Sequence, residues 1–176
     1  YNNHGGLGQN NQTQYSSPVQ IPGTTWSQGE GTYYGSGVIR TDGTLWVWGE
    51  NFYGMLGQNS AVSYSSPVQI PGTTWSQVSV GQVNMLAVKT DGTLWGWGSN
   101  GRGGLGYNGG HNAHRSSPVQ VPGTTWSKIN TTNNRAFGIK TDGTAWSWGY
   151  NNYGYLAIND NTQRSSPVQI GSDTTW

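Results

Sequence analysis

The chain of 176 residues contains no cysteine, which excludes disulfides and thiolate metal sites together and leaves the redox compartment open. Charge is almost as scarce: 9% of the residues are charged and the net balance is +1. The few Lys and Arg are scattered, so the sequence lacks the basic footprint of a nucleic-acid-binding surface or of contact with an anionic membrane. No apolar run is long enough for a bilayer-spanning helix, and no secretory leader is in view. The sequence opens on Tyr1 rather than Met, as expected of a processed or cut piece. No segment combines a helical hydrophobic period with caps, so helix content is expected to be near zero. Low charge is joined here to ten Trp and ten Tyr, whereas disordered chains usually pair high charge with few aromatics.

What is present is repetition. Thr-Thr-Trp ends at Trp26, Trp75, Trp126 and Trp176, at intervals of 49, 51 and 50 residues. Ser-Ser-Pro-Val-Gln begins at Ser16, Ser65, Ser116 and Ser165, and Thr-Asp-Gly-Thr at Thr41, Thr90 and Thr141. Cut before each Asn-containing loop, the single repeat domain 1–176 reads as units 1–49, 50–98, 99–149 and a partial 150–176. The partial unit is the half that opens every unit, so two copies of the chain cannot supply each other's missing part.

Within a unit the periodicity is that of strands. LAVKTDGTLWGWG, residues 86–98, places two β-prone runs around Asp91-Gly92, the pair favoured in a two-residue type I′ turn. Counting outward from that turn sets Val88 opposite Trp95 and Leu86 opposite Trp97; the sister hairpins pair Ile39 with Trp46, Gly37 with Trp48, Ile139 with Trp146 and Phe137 with Trp148. The other face is then small, with Ala87 opposite Gly96 and Gly138 opposite Ser147, so each Trp layer should settle on the small layer of its neighbour. Two further strands, around PVQI and SQVSV, bring the unit to four. The expected fold is all-β, a β-propeller of four-stranded blades, and the period alone also admits kelch-type blades.

The motif WGxNxxGxLG, present as WGENFYGMLG at 48–57 and WGSNGRGGLG at 97–106, followed by SSPVQ and then LAVKTDGTLW, resembles the regulator of chromosome condensation (RCC1) repeat. That resemblance covers essentially the whole chain and implies a seven-bladed propeller of which about three and a half blades are present. The chain departs from the family where Gly35, Asn84 and Arg135 replace a His often found before the LAV-type strand, and where Leu156-Ala157 replaces Leu-Gly. Nucleotide exchange and chromatin binding, the roles of the family's namesake, are not carried over. Gly54, Gly104 and Gly154 are expected to turn the chain with positive φ after the Trp strand, with Asn51, Asn100 and Asn151 in local Asx turns.

Several patterns invite a chemical reading. Gly101 to Gly106 spells GxGxxG, but YNGGHNAHRSSP follows where a dinucleotide fold needs a helix. Asp42, Asp91 and Asp142 recur, yet each belongs to an Asp-Gly turn and the copies lie a blade apart rather than converging on a catalytic or Ca²⁺ site. His111 and His114 form HxxH without a third ligand, so no metal is expected. With no GxSxG elbow, no thiol and no carboxylate pair close in sequence, neither enzymatic activity nor a cofactor is expected. Trp46, Trp48, Trp95, Trp97, Trp146 and Trp148 belong to the core and turns.

Recognition is expected where similar units differ: QNNQTQY, QNSAVSY, YNGGHNAHR and INDNTQR stand between constant motifs. Tyr33, Tyr34, His111, His114 and Arg115 are the candidate contacts. The expected function is a non-enzymatic recognition or assembly module of a secreted, cell-surface or virion-associated protein, with a protein or glycan partner, and with self-association or the remainder of a longer chain completing it. A tectonin-like lectin propeller and a structural fibre subunit are the alternatives. Asn11 and Asn130 head glycosylation sequons.

Overall fold

A computed structural model describes residues 2–132 and 134–176. The first sheet contains β1 (Trp26–Gly31), β2 (Gly35–Arg40), β3 (Leu45–Gly49) and β4 (Tyr64–Ile70); the second, β5 (Trp75–Val80), β6 (Asn84–Lys89), β7 (Leu94–Gly98) and β8 (Arg115–Val121). The third contains β9 (Trp126–Thr131), β10 (Arg135–Lys140), β11 (Ala145–Gly149) and β12 (Arg164–Gln169). Each is an antiparallel meander; between sheets β5 packs against β1 and β2, and β9 against β5 and β6. The outer strands β4, β8 and β12 carry Pro67, Pro118 and Pro167, a residue that an edge tolerates because it has no N–H to give a further neighbour. The sheets begin at the TTW motif, about half a period after the start of each sequence unit.

The observed register differs by one residue from a two-residue turn. Ala87 faces Trp95 and Met85 faces Trp97; Val38 and Ser36 face Trp46 and Trp48, and Gly138 and Ala136 face Trp146 and Trp148. Val88 consequently faces Leu94, Leu86 faces Gly96, and Phe137 faces Ser147. The cause is the turn. The Gly92 N–H donates to the Lys89 carbonyl and the Lys89 N–H to the Thr93 carbonyl, which leaves a three-residue loop in which only Gly92, at φ +78°, is left-handed. This is a type I turn closed by a glycine bulge, and the added residue changes every cross-strand partner.

Asp91 completes the turn rather than a reactive site. Its Oδ1 accepts the Thr93 N–H at 2.9 Å and the Thr93 hydroxyl at 2.7 Å, while Thr93 Oγ1 accepts the Trp95 indole N–H at 3.0 Å. The same chain joins Asp42, Thr44 and Trp46, and Asp142, Thr144 and Trp146. The threonine hydrogen bonds hold all three carboxyls below their ordinary value, because they favour the ionised form.

The second Trp of each pair joins blade to blade, but it packs on a loop rather than on a layer of small strand residues. Trp97 donates to the Met55 carbonyl at 2.9 Å, Trp48 to Gly6 at 2.8 Å and Trp148 to Gly104 at 3.1 Å, each in the Leu-Gly turn that precedes the Trp's own sheet in the chain. A Cβ on Gly57 would come within 3.0 Å of the Trp97 indole nitrogen, so the turn needs glycine to approach that closely. All three of these tryptophans are fully buried. Further bonds cross between blades where Glu30 accepts the Val80 N–H and Gln77 Oε1 accepts the Ile129 N–H.

The Asn loops are also built differently from local Asx turns. Asn51 Oδ1 accepts the Leu56 N–H, while its Nδ2 donates to the carbonyls of Ser60 and Val62, so one buried side chain ties both arms of the loop. Asn100 and Asn151 do the same work at Leu105 and Leu156. The positive-φ glycine is Gly103, equivalent to Gly54 and Gly154; Gly104 is right-handed at φ −61°.

Candidate recognition surface

The antiparallel order decides which loops share a rim. The C-terminal ends of β1 and β3 and the N-terminal ends of β2 and β4 lie at the same end of the sheet, and the other two sheets repeat this. Segments 32–34, 50–63, 81–83, 99–114 and 150–163 therefore emerge together, opposite the Asp-Gly turns. Tyr33, Tyr34, His111, His114 and Arg115 all fall on this loop-bearing rim.

They do not form one cluster. Tyr33 and Tyr34 stack edge to face at 4.9 Å, and Tyr34 continues to Phe52 at 6.4 Å. His114 lies 4.5 Å from the Tyr53 ring, and its Nδ1 accepts the Asn100 N–H at 3.0 Å. In the preceding blade Ser63 Oγ fills that place by accepting the Asn51 N–H, so His114 is a loop brace as well as a surface group. Arg115 covers Tyr107 at 4.7 Å, whereas His111 is exposed. Among the described residues no group of three or more His, Asp or Glu is placed to hold a metal.

Burial holds the His114 imidazole below its ordinary value of 6.5. The unfolded chain therefore takes up the proton first on acidification, and the stability linked to this group is complete above 6.5 and lost as pH falls. Protonation also turns the Nδ1 acceptor into a donor and breaks its bond to Asn100. The Asn100 amide resonance is expected to titrate with a midpoint below 6.5; a midpoint at or above that value would contradict the brace.

Large exposed rings also stand beside the Gly and Asn expected to form the turns, at positions not among the candidate contacts. Tyr153 is 74% exposed, Tyr53 54% and Tyr155 47%, alongside Tyr33 at 66% and Phe52 at 54%. Tyr150, Tyr153 and Tyr155 form a three-ring cluster with centroids 5.6–6.4 Å apart. Arg135 lies over Tyr155 at 4.2 Å and Arg102 over Tyr150 at 5.2 Å. Beside this cluster a groove of about 460 Å³ runs between the second and third blades, lined by the Gly81-Gln82 turn, Thr132, Arg135, Tyr150 and Tyr155. A sequence signal existed: between the invariant Asn and Gly stand Phe-Tyr, Gly-Arg and Asn-Tyr, as variable as the longer loops.

Asn11 and Asn130, the sequon residues, differ in accessibility. Asn11 is half-buried and its amide bonds Gln9, Thr13 and Tyr15, whereas Asn130 is exposed on β9.

The model of the regulator of chromosome condensation (RCC1) repeat matches residues 42–88, 91–130 and 142–175, and a second model of the same repeat matches 75–103. The chain belongs to the RCC1 repeat family. Its fold is similar to that of human WBSCR16, with a TM-score of 0.82 at 20% identity over 97% of this chain and 46% of that one. It is also similar to Prp20p from Saccharomyces cerevisiae, with a TM-score of 0.71 at 16% identity over 81% of this chain and 37% of that one. The structure of Prp20p is described with its binding properties to Gsp1p and histones, and a second structure shows the yeast protein bound by Kap60. This RCC1-repeat chain thus spans less than half the length of either protein. No curated protein is significantly similar to it in sequence.

Proposed function

We propose that this RCC1-repeat chain is a non-enzymatic recognition module that binds a protein partner through the loop-bearing rim, centred on Tyr153, Tyr155, Arg102 and Arg135. The observation that carries the reading is the concentration of exposed aromatic rings and stacked arginines on that rim. Tyr supplies large contact area with few rotatable bonds lost, an Arg already stacked on a ring is partly ordered beforehand, and both residue types are enriched among the hot spots of protein interfaces. The Prp20p structures support it at the level of the fold, since that propeller is described with protein partners. Absence of a thiol nucleophile supports the non-enzymatic part.

The open face of the last blade is covered by a further repeat or by the end face of a second copy. The turn Gly154–Ala157 is largely exposed, whereas its counterpart Gly54–Gly57 is buried under the next blade. A secreted, cell-surface or virion-associated setting suits the sparse charge and the abundance of Asn, Thr and Ser.

Peptide ligands selected from a display library against residues 1–176 test the rim. The double change Tyr153→Ser and Tyr155→Ser is expected to weaken the selected ligands about tenfold or more, as loss of aromatic anchors does. Asp173→Ala, on the opposite rim, should leave them unchanged. Ligands indifferent to both tyrosines would reject this surface.

A further inference from the structure

The 99–114 loop contains two Asn-Gly pairs, Asn100-Gly101 and Asn108-Gly109, and the fold treats them oppositely. Asn-Gly is the pair most open to deamidation, because glycine has no β-carbon to shield its backbone nitrogen or to restrict its approach to the Asn side chain. At Asn100 the reacting groups are held. The residue is 1% exposed, its Oδ1 accepts the Leu105 N–H at 3.1 Å, its Nδ2 donates to the Gly110 carbonyl at 2.9 Å, and the Gly101 N–H donates to Ser99 Oγ at 3.2 Å.

At Asn108 they are free. The residue is exposed, and its Oδ1 accepts only the Ser165 hydroxyl, at 3.4 Å, which is long for a hydrogen bond. Among the described residues nothing accepts from its Nδ2 or from the Gly109 N–H. Its backbone is left-handed at φ +63° and its own N–H donates to the Ser165 carbonyl at 2.8 Å, a geometry shared with Asn10 and Asn59, which are likewise exposed. Those two are followed by Asn11 and Ser60, so of the three only Asn108 combines this turn with a following glycine.

We infer that Asn108 is a site of spontaneous deamidation and that its isoaspartyl product unlocks the loop. The Gly109 nitrogen gives up its proton to a solvent base and bonds to Asn108 Cγ; the bond from Cγ to Nδ2 breaks, and ammonia leaves carrying a proton from the solvent. Water then opens the succinimide ring at Cγ, giving aspartate, or at the former backbone carbonyl carbon, giving isoaspartate with the chain routed through Cβ and Cγ. The isoaspartyl route inserts one extra backbone atom just before Gly109. That stretch has no slack, since even a Cβ on Gly109 would overlap the Tyr107 ring, and the next carbonyl, that of Gly110, is the acceptor for Asn100 Nδ2. Displacing it releases one arm of the buried Asn100 tie. Either product adds one carboxylate, which takes the formal balance of the chain from +1 to zero. The inference is independent of what the rim binds.

Incubation of residues 1–176 in mildly alkaline buffer, followed by peptide mapping and by enzymatic methylation of isoaspartate, tests the assignment. Asn108 is expected to react at least tenfold faster than Asn100 in the folded chain. In concentrated urea the two should react at similar rates, because each is followed by glycine. Exchange of 107–115 for QNSAVSY, which puts serine after the asparagine, should slow the reaction at this place at least tenfold. In the isoaspartyl species, separated by its charge, the side-chain amide resonances of Asn100 are expected to move. Equal rates at the two sites in the folded chain overturn the proposal, as does a folded Asn108 that survives the time in which urea consumes it, or a reaction undiminished in the exchanged loop. Unmoved Asn100 resonances in the isoaspartyl species overturn the unlocking.

Discussion

Trp97→Ala is expected to lower the free energy of unfolding by about 3–5 kcal/mol, the range for truncating a large buried aromatic. Trp97 is completely buried, packs on the Met55–Gly57 turn of the preceding blade, and donates its indole N–H to the Met55 carbonyl. The change therefore opens a cavity, orphans a carbonyl and loosens one blade from the next. Trp48 and Trp148 occupy the same position with the same bond, so their losses should match that of Trp97. A partner as small as Gly37, which a two-residue turn sets opposite Trp48, predicts a smaller loss there; in the structure Ser36 faces Trp48, whose indole bonds Gly6 and packs on Gly8 as Trp97 does on its own turn. Trp95→Ala should cost less, since Trp95 is half-buried and binds only within its own blade. Urea titrations of the four variants check this ordering, and a loss at Trp97 no larger than at Trp95 would show that the turn contact carries no stability.

Asn51→Ala is expected to cost about 3 kcal/mol, mostly from leaving the buried Leu56 N–H unpaired, a penalty of about 1–3 kcal/mol, with the two loop carbonyls contributing the rest. Asn51→Asp should not rescue the loss. An aspartate keeps the acceptor for Leu56 but directs its second oxygen at the carbonyls of Ser60 and Val62, where Nδ2 now donates. Full stability of the aspartate variant at neutral pH would contradict this geometry. By contrast, replacing YNGGHNAHR at 107–115 with QNSAVSY should leave stability nearly unchanged. Ser63 braces Asn51 as His114 braces Asn100, so the exchange brings its own brace, and loop closure varies by only about a few tenths of a kcal/mol over such lengths.

The blade count, the four strands and the all-β class were legible because a fifty-residue period with alternating apolar positions admits few other solutions. The hairpin register was not. Thr-Asp-Gly-Thr is compatible with both a two-residue turn and a three-residue turn with a bulge, and the Asp-to-Thr hydrogen bonds that select the longer one are visible only in space. The rim that gathers the candidate contacts followed from the order of strands, but its strongest part did not. Tyr153 and Tyr155 stand in a motif whose neighbours are structural, and only their exposure and the arginine stacked beside them distinguish them.

One hexapeptide separates the two kinds of information. Ser-Ser-Pro-Val-Gln-Ile occurs at Ser65 to Ile70 as strand β4, where Ile70 is fully buried against β3. At Ser16 to Ile21 the same six residues form no strand, and Val19 is 41% exposed. Local sequence dictates an extended segment with proline at an edge-compatible position, and it does so identically in both places. Whether that segment becomes a strand depends on a Trp-bearing neighbour whose backbone N–H and C=O groups can pair with it, since a ladder satisfies peptide groups only in company. Composition and period therefore determine what each repeat can form, while the packing of blade on blade decides which copies form it and which side chains remain at the surface.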